Sequence, residues 1–216
     1  MQKKKNQNYY NYQRRDLIGM LPSAHARYLE IGCGNGATLE YLKAKGAAYV
    51  AGVDINAKAI AVAETKGLDA AFVADIEKDD LPFEKNYFDC IILADVLEHL
   101  YNPWDAVRKI RSYLRVDGDM LISIPNVKYY KLLQRLILHD EWKYAEQGIL
   151  DNTHVRFFTR REIVSLIEGA GLKTEKVQGV YISGKVFRLI NGLLLNRLRS
   201  FAAYQFYILA KNVPYL

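Results

Sequence analysis

Two sets of residues in this 216-residue chain have the types and spacing to do chemistry. The first lies in YLEIGCGNGATLEYLKAKGAAYVAGVDIN, residues 28–56, where Glu30, Gly32, Gly34 and Gly36 stand at alternate positions and Asp54 closes the segment. Bare peptide lets a backbone approach a ligand where a Cβ would clash. An acid after the next strand can accept hydrogen bonds from both hydroxyls of a ribose. The second set is Asp95, Glu98 and His99, at i, i+3 and i+4, with a distant His154 in GILDNTHVRFFTRREI, residues 148–163. On a helical turn the first three would share one face. Two acids and two histidines are ligands that a hard or borderline divalent ion takes. Without an ion, His154 could take the proton from an acceptor hydroxyl, with His99 as a second catalytic candidate. The preferred reading of Glu98 and His99 is structural, as an acceptor of backbone amides and a half-buried histidine. The preferred reading of His154 is a base or a substrate contact.

These residues need elements to hold them. Tyr28–Ile31 reads as a short buried strand, the glycines as a turn, and Thr38, Leu39, Tyr41 and Leu42 as one face of a helix that Gly46 stops. Val50–Val53 is a second strand ending at Asp54, with Ile55 beside it. The helix behind the turn aims unpaired N–H groups into the same crevice. Ala57–Lys66 is helical and Gly67 caps it; Ala70–Ala74 is a third strand that delivers Asp75 and Ile76. Phe88–Leu93 is a nearly unbroken apolar run, as a central parallel strand requires. Pro103 opens a helix over Trp104–Leu114, Asp117-Gly118 turns the chain into a strand over Met120–Ile124, and Thr159 caps a helix over Arg160–Glu168. Lys173–Tyr181 and Tyr204–Ala210 read as the last two strands.

The crevice so built binds a nucleoside. A dinucleotide site wants G-x-G-x-x-G, and here Gly36 comes one residue early. Glu30 before the turn would repel a pyrophosphate and suits a positively charged ligand; S-adenosylmethionine carries a sulfonium and an ammonium group. The chain resembles the class I S-adenosylmethionine-dependent methyltransferases through four elements in order: the glycine turn, Asp75-Ile76, YFDCIILADVLEHL at 87–100 and GDMLISIPN at 118–126. The resemblance implies an α/β fold, a Rossmann-like seven-stranded mixed sheet in a three-layer αβα sandwich with helices on both faces, and strands six and seven antiparallel. It implies S-adenosylmethionine as cofactor, with Gly32, Cys33, Gly34 and Gly36 under the methionine part, Asp54 and Ile55 at the ribose, Asp75 and Ile76 at adenine, and Leu93 and Ala94 beside the sulfonium. Methyltransferases of ubiquinone biosynthesis, and those capping small RNAs, resemble the acid-x-x-Glu-His cluster with a distant histidine; here Asp95 stands in place of a glutamate. Upstream, a tyrosine-arginine segment resembles one found in a subgroup linked to sugar and cell-surface chemistry. It makes Tyr9, Tyr10, Tyr12 and Arg14 a lid over the cofactor, Arg14 facing the methionine carboxylate, against the alternative of an amphipathic helix on the domain edge.

Composition bounds the rest. Half the residues are hydrophobic and a quarter charged, which fits one domain over 1–216 with a sizeable core. The net charge of +6 owes much to Lys3-Lys4-Lys5 and scattered arginines, and no aromatic-basic array of the RNA-binding kind appears. Two cysteines, one in the glycine turn and one in a strand, fit a reducing, cytoplasmic setting. No apolar run is long enough to span a bilayer. Residues 1–27 are expected as an N-terminal lid or helix, 127–150 as an acceptor-side insertion with Trp142 and Tyr144, and 185–203 as an acceptor, dimer or membrane-surface contact, with the first two favoured. The expectation is a methyltransferase acting on a small-molecule hydroxyl, such as that of a carbohydrate or cell-surface precursor. The alternatives are a non-catalytic cofactor-binding subunit and a nicotinamide dehydrogenase.

Overall fold

A computed structural model describes residues 12–182, 184, 192–193 and 197–214. Tyr9 and Tyr10 of the expected lid, and most of the 185–203 segment expected as a contact, lie outside the described residues. The elements in chain order are α1 (Arg15–Ile18), β1 (Arg27–Ile31), α2 (Ala37–Ala44), β2 (Tyr49–Asp54), α3 (Ala57–Glu64), β3 (Ala70–Val73), β4 (Phe88–Ala94), a 3-10 turn (Leu97–His99), α4 (Pro103–Arg111), β5 (Leu114–Pro125), α5 (Tyr130–His139), α6 (Arg160–Gly169), β6 (Leu172–Tyr181), α7 (Arg199–Ala202) and β7 (Ala203–Asn212). They form one seven-stranded sheet in the order β3-β2-β1-β4-β5-β7-β6. The first five strands pair in parallel, and β7 is antiparallel to both its neighbours.

Successive strand residues face opposite sides of the sheet, so one strand feeds two cores. Leu29 and Ile31 of β1, with Ile91 and Leu93 of β4, pack beside Val107 and Ile110 of α4 and Ile163, Leu166 and Ile167 of α6. Tyr28, Cys90 and Ile92 face the other way, onto Leu17 of α1, Leu39 and Leu42 of α2, and Ile60 of α3. The expected three-layer sandwich with helices on both faces is therefore present. Local signals set the helix starts: Asn56 accepts from the Lys58 amide (3.0 Å), Asn102 from that of Asp105 (3.2 Å), and Thr159 from that of Glu162 (3.4 Å).

One boundary differs. The helix expected to reach Leu114 stops at Arg111, and Leu114 instead opens β5. β5 starts at Leu114, pairs with Phe88, and bulges before Asp119 pairs with Cys90. The turn foreseen at Asp117-Gly118 is this bulge, with Asp117 at φ +57°. No helix among the described residues is long and apolar enough to cross a membrane.

Candidate active site

The carboxyl ends of β1, β2 and β4 meet where the strand order reverses between β1 and β4, the place at which such sheets bind ligands. Gly32 follows β1 at φ +68°, and a Cβ there would meet Val96 Cγ2 at 2.7 Å. Gly36 (φ +71°) caps α2, and a Cβ there would meet Leu68 Cδ1 at 2.8 Å and Ala63 Cβ at 3.2 Å. These two glycines are thus demanded by packing of the turn against its own neighbours as well as by backbone shape. The Gly32 and Cys33 amides both donate to the Val53 carbonyl (2.7 and 3.1 Å), and the Gly34 amide donates to Asp54 Oδ2 at 2.8 Å. The Cys33 thiol is turned inward over Gly52, and burial raises its pKa, so Cys33 offers a ligand neither its amide nor its sulfur.

Asp54 is the clasp of this turn. Its Oδ1 accepts from the Asn56 amide at 2.8 Å, so two of its roughly four acceptor positions are taken and about two remain for a diol. Ile55 beside it is 67% exposed and forms an apolar floor next to the carboxylate. Asp75 is spoken for differently: its Oδ1 accepts from the Glu77 amide (3.0 Å) and its Oδ2 pairs with Lys78 (2.7 Å), which holds its pKa below the usual range. Ile76 is buried in the core cluster with Leu93, while Ala94 is half-buried at the strand end.

Glu30 is the unusual group. It is 3% exposed, and its Oε2 has no hydrogen-bond partner. Burial pushes its pKa up to about 8, with Asp54 adding to the rise, against a Thr38 side-chain hydrogen bond and the Arg14 charge. A buried carboxyl with one unpartnered oxygen fits an ammonium or sulfonium ligand, whose positive charge would favour its ionised form. The crevice therefore fits S-adenosylmethionine on three counts: Glu30 for positive charge, Asp54 for the ribose and Ile55 for an apolar ring face.

Asp95 terminates β4 at φ +54°. Ser123 Oγ donates to its Oδ1 at 2.8 Å, the side-chain amide of Gln205 donates to the same oxygen, and the Arg14 guanidinium pairs with Oδ2. The Arg14 amide also reaches Thr38 Oγ1 at 3.3 Å. Arg14 is thus held at the end of β4 by Asp95. The expectation that Asp95 shares a face with Glu98 and His99 is corrected: its left-handed backbone breaks the helical spacing, and the 3-10 turn begins only at Leu97.

Glu98, His99 and His154 do converge, each offering a ligand atom within 4.8 Å of the others. His154 Nδ1 lies 2.9 Å from the Ile149 carbonyl and His99 Nδ1 3.2 Å from that of Thr153. A carbonyl only accepts, so both rings are N–Hδ1 donors and present Nε2 as the basic nitrogen. His154 Nε2 is 3.9 Å from Glu98 Oε1, and the imidazole rings meet edge to face at 4.7 Å. The Glu98 carbonyl accepts the amides of Val155 (2.9 Å) and Arg156 (3.0 Å), which stitches the distant loop to the turn. Sequence reasoning missed Thr38, Ser123 and Gln205. Ser123 and Gln205 each interrupt an apolar strand, and that interruption was the available signal.

A family model for a methyltransferase domain matches residues 4–177, and the chain belongs to that family. A ubiquinone biosynthesis O-methyltransferase of Neisseria meningitidis serogroup C is 30% identical over 164 residues, covering 71% of this chain and 66% of the relative. The chain therefore spans about two thirds of that curated relative. An S-adenosylmethionine-dependent methyltransferase from Mesorhizobium loti superposes with a TM-score of 0.66 at 18% identity, covering 91% of this chain and 96% of that one. One from Archaeoglobus fulgidus gives 0.66 at 22% identity, covering 91% and 90%. The fold is that of the S-adenosylmethionine-dependent methyltransferases, and S-adenosylmethionine is the cofactor it implies. The nicotinamide alternative is set aside.

Proposed function

We propose that this chain moves a methyl group from S-adenosylmethionine to a hydroxyl oxygen of a small-molecule acceptor. The observation that carries the reading is the crevice in which the buried carboxyl of Glu30, its Oε2 without a partner, and the clasped carboxylate of Asp54 flank the glycine turn. When bound, S-adenosylmethionine supplies a methyl carbon made electrophilic by its sulfonium. The residues' task is alignment, since in-line displacement gains most from a near-attack geometry. Glu30 holds the positive end, Asp54 the ribose, and Asp95 fixes Arg14 over the crevice. Asp75 and Ile76 border the adenine side, and Ala94 lies beside the sulfonium, backed from within the core by the wholly buried Leu93. The names of the curated relatives support oxygen as the methylated atom; they lend none to a carbohydrate or cell-surface acceptor. In the base reading, His154 takes the hydroxyl proton through Nε2, with His99 packed against it.

A second reading is favoured by the convergence of a ring nitrogen from each of two histidines on a buried carboxylate. Backbone carbonyls fixing the opposite ring nitrogens are the usual outer support of metal-bound histidines. Glu98, His99 and His154 would hold a divalent cation that binds the acceptor oxygen; Asp95, tied to Arg14, takes no part. Residues 127–150 would cover the acceptor, with Trp142 packed edge to face on Phe157 at 5.5 Å.

Calorimetry with S-adenosylhomocysteine tests the core of the reading. One-to-one binding is expected, weakened at least about tenfold in Asp54→Ala; absence of binding in the wild type sinks it. Incubation of small-molecule extracts with S-adenosylmethionine labelled in the methyl group tests the acceptor. Label that resists alkali is expected for an ether; alkali-labile label would mean a carboxyl acceptor instead. Binding without turnover on any acceptor would support the non-catalytic subunit.

A further inference from the structure

The outer edge of the sheet carries a concavity apart from the cofactor crevice. A groove of about 660 Å³ lies between the start of α6, the far half of β6 and α7. Arg160, Lys176 and Arg199 line it, and no acid does. Among the described residues none of the three is ion-paired, whereas Arg27, Lys43 and Lys211 each meet a carboxylate. Arg199 is also pre-positioned. Its Nε donates to the Tyr181 hydroxyl at 2.8 Å, and its guanidinium lies 5.2 Å from the centre of that ring. Tyr181 in turn lies over Gly179, where a Cβ would meet the ring at 2.8 Å. Gln178 and Ser200 add neutral hydrogen-bonding groups.

The groove opens at the same end of the sheet as the cofactor crevice. Val180 of β6 pairs with Gln205 of β7, Gln205 pairs with Pro125 of β5, and the Gln205 side chain reaches Asp95 at the end of β4. From β4 to β6 is three strand spacings, about 14 Å. A volume of this size suits a small molecule, and two arginines with a lysine suit a dianion or trianion.

We propose that this groove binds a phosphate or pyrophosphate group on the methyl acceptor, and so selects an elongated acceptor with its anionic end some three strands, about 14 Å, from the methylated oxygen. The proposal rests on the methyltransferase reading, and its test keeps the two apart. The full chain, Arg160→Gln/Arg199→Gln and Lys176→Gln are each titrated with inorganic pyrophosphate and, separately, with S-adenosylhomocysteine. Pyrophosphate should bind the wild type one-to-one, weaken with added salt, and lose at least tenfold in the double variant and severalfold in Lys176→Gln. S-adenosylhomocysteine affinity should not change, which also shows that the variants fold. Equal pyrophosphate binding in wild type and variants, or none in the wild type, overturns the groove. Loss of S-adenosylhomocysteine binding in the wild type with pyrophosphate binding intact overturns the methyltransferase reading and leaves the groove standing.

Discussion

The Gly34 amide donates to Asp54 Oδ2 at 2.8 Å, so the acid placed to hold a ribose also holds the turn beneath it. Asp54→Ala should therefore fail twice. Losing two accepted amide hydrogen bonds should cost about 1–3 kcal/mol of stability, seen as a lower melting temperature, and S-adenosylhomocysteine affinity should fall at least about tenfold. A variant that keeps its melting temperature would show that the turn closes without Asp54.

Glu30 makes stability fall as pH rises. Its carboxyl titrates at about 8 in the folded chain against an ordinary 4.5. Between those values the unfolded chain has released a proton that the folded chain keeps, so stability declines across the window and levels off above it. Glu30→Gln should flatten this decline and raise the melting temperature at pH 8, while weakening cofactor binding. Parallel melting curves for the two proteins from pH 4.5 to 8 would remove Glu30 as the cause.

Asp95 gathers Arg14, Ser123 and Gln205 onto one carboxylate. Asp95→Ala should release the segment around Arg14 from the sheet. Limited proteolysis should then cut between residues 12 and 22 sooner than in the wild type, and S-adenosylhomocysteine should slow the cut less.

His154→Ala should lower turnover by about 10²- to 10⁴-fold with cofactor affinity unchanged. Unaltered turnover would remove His154 from the chemistry. A chelator distinguishes the two roles. Activity that survives it selects the proton-accepting imidazole; activity lost and restored by a divalent cation selects the ion.

Gly36→Ala places a Cβ 2.8 Å from Leu68 Cδ1 at φ +71°. The strain and the clash together should cost about 1–3 kcal/mol, read as a lower denaturation midpoint. An unchanged midpoint would show that α2 and α3 can part without loss.

The sheet was legible in the sequence because its strands carry their own evidence: a nearly unbroken apolar run in β4, glycines after β1, an acid at the end of β2. The antiparallel return of β7 was not in those runs; it came from family resemblance, since pairing partners far apart in the chain leave no local trace. In the site, Glu30 and Asp54 announced themselves as charges beside apolar strands. Asp95 misled, because i, i+3, i+4 spacing implies a shared face only on a helix, and its left-handed backbone removes that premise. Gly36 appeared too early for a dinucleotide motif, yet it packs against Ala63 and Leu68 much as that motif's third glycine would. Contacts of this kind depend on which side chain arrives from the neighbouring helix, and spacing cannot show that.

The two buried thiols offer a pair of clocks. Cys33 lies under the ligand turn and Cys90 in the middle of β4, and burial raises the pKa of both. Neither reacts until its surroundings part, so the alkylation rate of Cys33 times the turn's own breathing, while that of Cys90 times collapse of the central strand. The gap between the two rates, and its widening or closing when a nucleoside occupies the crevice, would measure how independently the binding loop moves from the scaffold that carries it.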